Sequence, residues 1–198
     1  MADRLTSGRH GLTREQVAAH QKQRLYKALA TVMPDKGYSN TTVEDLISAA
    51  GVSRATFYQH FTSKLDCFMS AYARMQQHLG AAIQTAPVAG PPMQRFAVML
   101  ERYLHFMAMD PSTARLFLVE VYAAGPEAMR RRTELQQDFV DGIAAILGVD
   151  TPQDRFACQM LVAAISSQVT NALVDDDPDA VTALAQPILG FAEKVMKG

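Results

Sequence analysis

A chain of 198 residues, 48% of them hydrophobic, can bury a sizeable core as one domain or two small ones. Nineteen basic residues nearly balance twenty acidic ones, yet up to Lys64 nine Lys/Arg oppose five Asp/Glu, and from Leu65 onward ten oppose fifteen. Only the front therefore suits a polyanion, while two distant cysteines, Cys67 and Cys158, exclude a disulfide framework or a metal knuckle.

In chain order, Met1 to Leu12 is polar and reads as a flexible arm, without the apolar segment of a secretory leader. Thr13 with Gln16 forms a capping box for a first helix to about Asp35, striped by Leu25, Ala28, Leu29 and Val32 and ended by Pro34 and Gly37. Thr41 with Glu44 suggests a second capping box, ahead of a short helix striped by Val43, Leu46, Ile47 and Ala50. Gly51 breaks it, Ser53 caps a third helix ending near Phe61, and Ser63 caps a fourth through Leu79. "TAPVAGPP", Thr85 to Pro92, is a linker. Helices are then expected from about Met93 to Met109, Ser112 to Ala124, Pro126 to Leu147, Pro152 to Val174, and Asp179 to Met196 with a bend at Pro187. Strand signals are nearly absent and no apolar run approaches membrane-spanning length. The expectation is an all-α protein of about nine helices, divided into an arm (1–12), a front domain (13–64) and a larger rear domain (65–198), in the cytoplasm.

On the third helix, at 100° per residue, Phe57 and Phe61 share an inner side, while Ala55, Thr56, Tyr58 and Gln59 spread over the opposite arc with Arg54 at its edge. Two short helices joined by a glycine turn, the second bearing outward polar groups, make a helix-turn-helix whose second helix can enter the DNA major groove. Ala55 allows close approach to the groove floor. Thr42 and Lys64 stand at helix starts where free amides favour phosphate, and Tyr58 and His60 add donors.

"TTVEDLISAAGVSRATFYQHFTSK" resembles the DNA-binding signature of the TetR family of bacterial transcriptional regulators. The motif resemblance covers Leu12 to about Met75, and the remainder agrees in length and helix count. It implies DNA contacts at Thr42, Arg54, Ala55, Thr56, Tyr58, His60 and Lys64, to which the outward angle of Gln59 adds one. Ala55 stands where glycine is commoner in the family, and Pro34 where an aromatic is more usual. The resemblance further implies a three-helix DNA-binding domain followed by a helical effector-binding and dimerisation domain, working as a homodimer on a palindromic operator.

The rear supports this more weakly. Along the helix from Met93, Gln94, Arg95, Glu101, Arg102 and His105 share one arc and apolar residues fill the other; "ARLFLVEVYAA" is apolar nearly all round. Met and aromatic density suits an adaptable cavity, with Phe96, Met99, Tyr103, Met107, Phe117, Tyr122 and Phe139 as candidate lining; an ordinary packed core is the alternative for each. "LVAAISSQVTNAL" and "AVTALAQPILGFA" carry small residues suited to close helix packing, and the resemblance implies that these last two helices form the dimer interface. No catalytic residue, cofactor or metal ligand set is read: Glu101 and His105 lack a second pair, Asp175 to Asp177 reads as a solvated helix end, and Arg130 to Arg132 as surface ion pairing. The expected function is a repressor released by a small apolar or amphipathic effector. The alternatives are a helical binding protein or enzyme whose helix-turn-helix does not touch DNA, and a regulator without a ligand.

Overall fold

The computed structural model of the chain describes residues 13–84, 89–175 and 177–197, in which all regular structure is helical. The expected arm (Met1 to Leu12), the first half of the linker from Thr85, and Asp176 lie outside the described residues. The helices are α1 (Arg14–Lys36), α2 (Val43–Ala50), α3 (Arg54–His60), α4 (Lys64–Gln84), α5 (Pro92–Met109), α6 (Pro111–Leu118), α7 (Pro126–Leu147), α8 (Pro152–Val174), α9 (Pro178–Ala183) and α10 (Ala185–Lys197). Counting α9 and α10 as one interrupted helix gives nine among the described residues. The chain forms two compact units, one ending at Tyr72 and the other beginning at Ala73, within α4.

In the first unit, α1 begins with the expected reciprocal cap: the Thr13 hydroxyl accepts from the Gln16 amide, and the Gln16 side chain accepts from the Thr13 amide. Pro34 does not stop α1, which runs on to Lys36. A proline withdraws one helical donor, and so near the end the loss is confined to a single carbonyl. Gly37, at φ 76°, makes the actual stop. The cap of α2 lies one residue later than expected. Thr42, not Thr41, is the cap, and Asp45, not Glu44, is its partner. Thr41 is instead buried, its hydroxyl and amide both turned back to the Gly37 carbonyl at 2.8 and 3.2 Å.

Phe57, fully buried, and Phe61 hold α3 inward, with ring centroids 5.8 Å apart and Tyr26 of α1 5.9 Å from Phe61. Phe68 packs edge-on against Tyr38. Cys67 is fully buried; desolvation, then Asp66, pushes its thiol up to about 12, so it packs as a hydrophobe.

In the second unit, α5 packs against α6, α7, α9 and α10, and α8 against α6, α7, α9 and α10. α4 extends past Leu79 to Gln84 because Gly80 is tolerated inside it. The expected helix from Ser112 to Ala124 ends at Leu118 and gives way to a 3-10 turn, Glu120–Tyr122. The last expected helix is interrupted at Leu184, three residues before Pro187; lacking an amide hydrogen, Pro187 cannot bond the Ala183 carbonyl. α8 meets the length and mean composition of a membrane span, as core helices also can, although polar residues interrupt every apolar run in it, and 33% of its most apolar stretch is buried within the chain. Its surplus apolar surface is Phe156, Met160 and Val174, each more than 40% exposed. With Ala163, Ser167 and Asn171, also exposed, these residues follow helical spacing along one stripe that carries no charge.

Candidate nucleic-acid interface

The turn between α2 and α3 is built on Gly51, whose φ of 61° and ψ of 37° are the left-handed values that glycine adopts without strain. A Cβ there would also stand 2.6 Å from the Arg24 guanidinium, which donates to the Gly51 carbonyl at 2.7 Å. Ser53 then caps α3, its hydroxyl accepting from the Thr56 amide at 3.0 Å.

With Phe57 and Phe61 inward, Arg54, Ala55, Tyr58 and Gln59 lie exposed, and Thr56 and His60 half-buried. The Arg54 guanidinium donates to Glu44 of α2 at 2.6 Å, which raises its already high pKa. Thr56 shares a hydrogen bond with the Ser53 hydroxyl at 2.9 Å, and His60 Nε2 one with Gln21 of α1 at 2.8 Å. Burial, then Lys22, lowers the His60 pKa. Thr42 is exposed, but its hydroxyl and amide both donate to Asp45 at 2.8 Å, so the first-turn amides of Val43 and Glu44 are the donors an anion would meet there.

Lys64 has a structural task that its position at a helix start does not announce. Its ammonium donates to the Tyr38 and Thr41 carbonyls at 2.5 and 2.7 Å and lies 4.1 Å from the Tyr38 ring centroid. Two of its three hydrogens are thus used, and burial lowers its pKa. It ties the first turn of α4 to the segment leading into α2. Sequence spacing misses Glu44, Gln21 and Arg24 as well, because their partners lie 10, 39 and 27 residues away. The outward arc of α3 was the visible signal.

The second unit contains a cavity of about 390 Å³, within the range of small-molecule sites. Ala73, Gln76, Gln77, Leu79, Gly80 and Ile83 of α4, Met99 of α5, and Arg131, Leu135, Asp138, Phe139, Gly142, Ile143 and Ile146 of α7 line it. Of the expected lining, Met99 and Phe139 are present. Phe96, Tyr103, Met107 and Phe117 are instead buried in the core, Tyr103 edge-on to Phe139 at 5.9 Å. Tyr122, 56% exposed, lies on the 3-10 turn with Arg132 4.9 Å from its ring. Composition pointed to α5 and α6, whereas the cavity belongs to the α4 and α7 stripes. The available signal was two mid-helix glycines, Gly80 and Gly142, where an added Cβ meets nothing within 4 Å.

A helix-turn-helix with a buried aromatic anchor and an outward polar face, followed by a helical unit with a half-open cavity, defines the class of helical DNA-binding regulators. Residues 25–71 match the family model described as bacterial regulatory proteins, tetR family. The matched segment, 47 of the 198 residues, takes in the helix-turn-helix, and that DNA-binding segment is of the TetR family of bacterial transcriptional regulators.

The chain is 22% identical over 142 residues to the transcriptional activator FasR of Mycolicibacterium smegmatis, covering 71% of this chain and just under two thirds, 65%, of that one. It is 22% identical over 174 residues to the fatty acid metabolism regulator protein of Bacillus subtilis, covering 82% of this chain and 88% of that one. Among solved structures, FadR from Bacillus subtilis in complex with stearoyl-CoA shares the fold at a TM-score of 0.74 with 20% identity, covering 86% of this chain and 96% of that one.

Proposed function

We propose that this chain is a cytoplasmic, non-enzymatic regulator that binds a palindromic operator as a homodimer and answers to a small amphipathic effector of the acyl type. The observation that carries the DNA reading is the exposed face of α3, with Arg54, Ala55, Tyr58 and Gln59 outward over buried Phe57 and Phe61. Arg54, Ala55, Thr56 and Gln59 meet base edges; Thr42, Tyr58, His60 and Lys64 meet the phosphate backbone. Lys64 retains one hydrogen for a phosphate beyond its two carbonyl bonds.

The uncharged exposed stripe of α8, with exposed Phe191 on the adjoining α10, supports dimerisation through these helices. Two recognition helices can then meet successive major grooves about 34–36 Å apart. The cavity between α4, α5 and α7 supports an effector site. Two relatives bear on its chemistry: one regulates fatty acid metabolism and the FadR structure holds stearoyl-CoA. α4 starts at Lys64 and lines the cavity further along, so an effector that prefers one placement of α4 changes DNA affinity through it. Release from DNA on effector binding makes the regulator a repressor; the FasR relative is an activator, and reporter transcription separates the two outcomes.

The test is selection of bound duplexes from a genomic pool, followed by mobility shift with acyl-CoA thioesters. Recovery of a two-fold symmetric sequence that the thioester releases is the expected result. Unselective retention of DNA overturns the operator reading, and turnover of the thioester without DNA selection overturns the regulator reading.

A further inference from the structure

α3 is seven residues long, Arg54–His60, and Phe57 is its buried anchor. Apolar burial has no direction, so it holds so short a rod inward without fixing its rotation or its slide along its own axis. Two hydrogen bonds from α1 meet its two ends. At the entry, the Arg24 guanidinium donates to the Gly51 carbonyl at 2.7 Å, just ahead of the Ser53 cap. At the exit, His60 Nε2 lies 2.8 Å from the Gln21 side-chain oxygen. Gln21 and Arg24 stand three residues apart and so share one face of α1. Leu25, Ala28, Leu29 and Met33 supply the buried stripe of that helix, leaving these two polar side chains to serve α3.

We propose that Gln21 and Arg24 are positioning residues for recognition: they fix the rotation and slide of α3 and so set sequence specificity without touching a base. This rests on the DNA reading above and extends it to residues on α1. Base-edge hydrogen bonds need side chains held within about 0.5 Å and 10–20° of the productive geometry. Phosphate attraction is sequence-independent and tolerates such shifts. Loss of either bond therefore falls on discrimination between sequences and spares the affinity that all duplexes share. A cation in this unit would otherwise read as a phosphate contact; its bond to the Gly51 carbonyl assigns Arg24 to the turn.

The experiment is mobility shift of the full-length chain, over a range of salt concentrations, on its selected operator, on single-base variants of it and on an unrelated duplex. It compares the wild type with Gln21→Met and Arg24→Met, which keep an unbranched stem and delete the bond. Melting curves and helicity confirm that each folds; Gly51 is exposed, so water meets the carbonyl that Arg24→Met releases. Each variant is expected to bind the operator about tenfold more weakly, the loss of about one base contact, and to distinguish the single-base variants less. Binding to the unrelated duplex should stay within about twofold of wild type, with the salt slope unchanged. A slope lowered by about one in Arg24→Met, with equal weakening on every duplex, makes Arg24 a phosphate contact and overturns its positioning role. Wild-type discrimination in Gln21→Met overturns that of Gln21. A wild type that retains all duplexes alike overturns the DNA reading itself and this inference with it.

Discussion

Across the turn of the helix-turn-helix, the Arg54 guanidinium and the Glu44 carboxylate meet at 2.6 Å while their side chains remain 61% and 66% exposed. So exposed a pair contributes little to stability, and DNA can break it without great loss. Glu44 thereby sets where Arg54 rests before binding and places a negative charge beside the polyanion.

Removing that charge should strengthen binding. Glu44→Gln is expected to bind all duplexes about fivefold tighter, whereas Arg54→Ala should relax preference at particular base pairs. Quantitative mobility shift on the selected operator and on its single-base variants measures both. A Glu44→Gln protein that binds more weakly than wild type would show the carboxylate to be a positioning group required for contact.

Lys64 and Tyr58 should separate by stability. Lys64→Ala deletes two charge-assisted bonds to the Tyr38 and Thr41 carbonyls and should cost the first unit about 2 kcal/mol, as well as weakening DNA binding. Tyr58→Ala removes a side chain that is 51% exposed and should leave stability within about 0.5 kcal/mol while weakening binding to every sequence. Denaturant titration beside binding isotherms distinguishes them; equal stability loss in both would overturn the structural role assigned to Lys64.

The pH dependence of the first unit follows from two groups. The Lys36 ammonium, then the Thr42 amide and hydroxyl, hold the Asp45 carboxyl at about 2, below its ordinary 3.8. Between these values the unfolded chain binds more protons than the folded one. Stability from this group is therefore present above about 4 and lost as pH falls toward 2. Burial and Lys22 lower the His60 pKa from its ordinary 6.5, so acidification below that value charges the unfolded state first and also favours unfolding. Melting temperatures across this range should show both declines, with Asp45→Asn flattening the lower and His60→Gln the upper. An unchanged profile in Asp45→Asn would sink the assignment.

Local periodicity made most of the fold legible. Thr13 and Gln16, Ser53, and the prolines at the starts of α7 and α8 mark element boundaries through chemistry within one helical turn. Phe57 and Phe61 likewise fixed which face of α3 is outward, four residues apart on a single helix. What stayed hidden lies in contacts outside the helical pattern. Thr41 looked like a cap until the Gly37 carbonyl, four residues back, claimed it, and the two carbonyls that Lys64 also holds lie more than twenty residues away. Of the expected lining only Met99 and Phe139 border the described cavity, because composition shows which helices are apolar, and only packing decides that Phe96 is buried in the core while Phe139 lines the cavity.

The helical glycines of the cavity give opposed effects on stability and binding. Gly142 lies inside α7 with open space where its Cβ would stand, so Gly142→Ala should raise stability by about 0.5–1 kcal/mol through helix propensity. Gly142→Leu projects a larger side chain into the 390 Å³ cavity and should abolish effector response while DNA binding survives. Thermal melts and thioester-dependent mobility shift check the pair; full effector response in Gly142→Leu would place the effector elsewhere.

The α8 stripe yields the prediction on which the operator geometry depends. Phe156 and Met160, 60% and 43% exposed, stand four residues apart on the uncharged face, so Glu at both positions should set like charges facing across a two-fold axis. Because the side chains already face solvent within one chain, the double variant should fold with wild-type helicity. Sedimentation is expected to show monomers. DNA affinity should fall steeply, since each recognition helix then binds alone and the second half-site no longer adds as a tethered contact. A double variant that remains dimeric, or a monomer that binds the full operator as tightly as wild type, would place the dimer contact on another face.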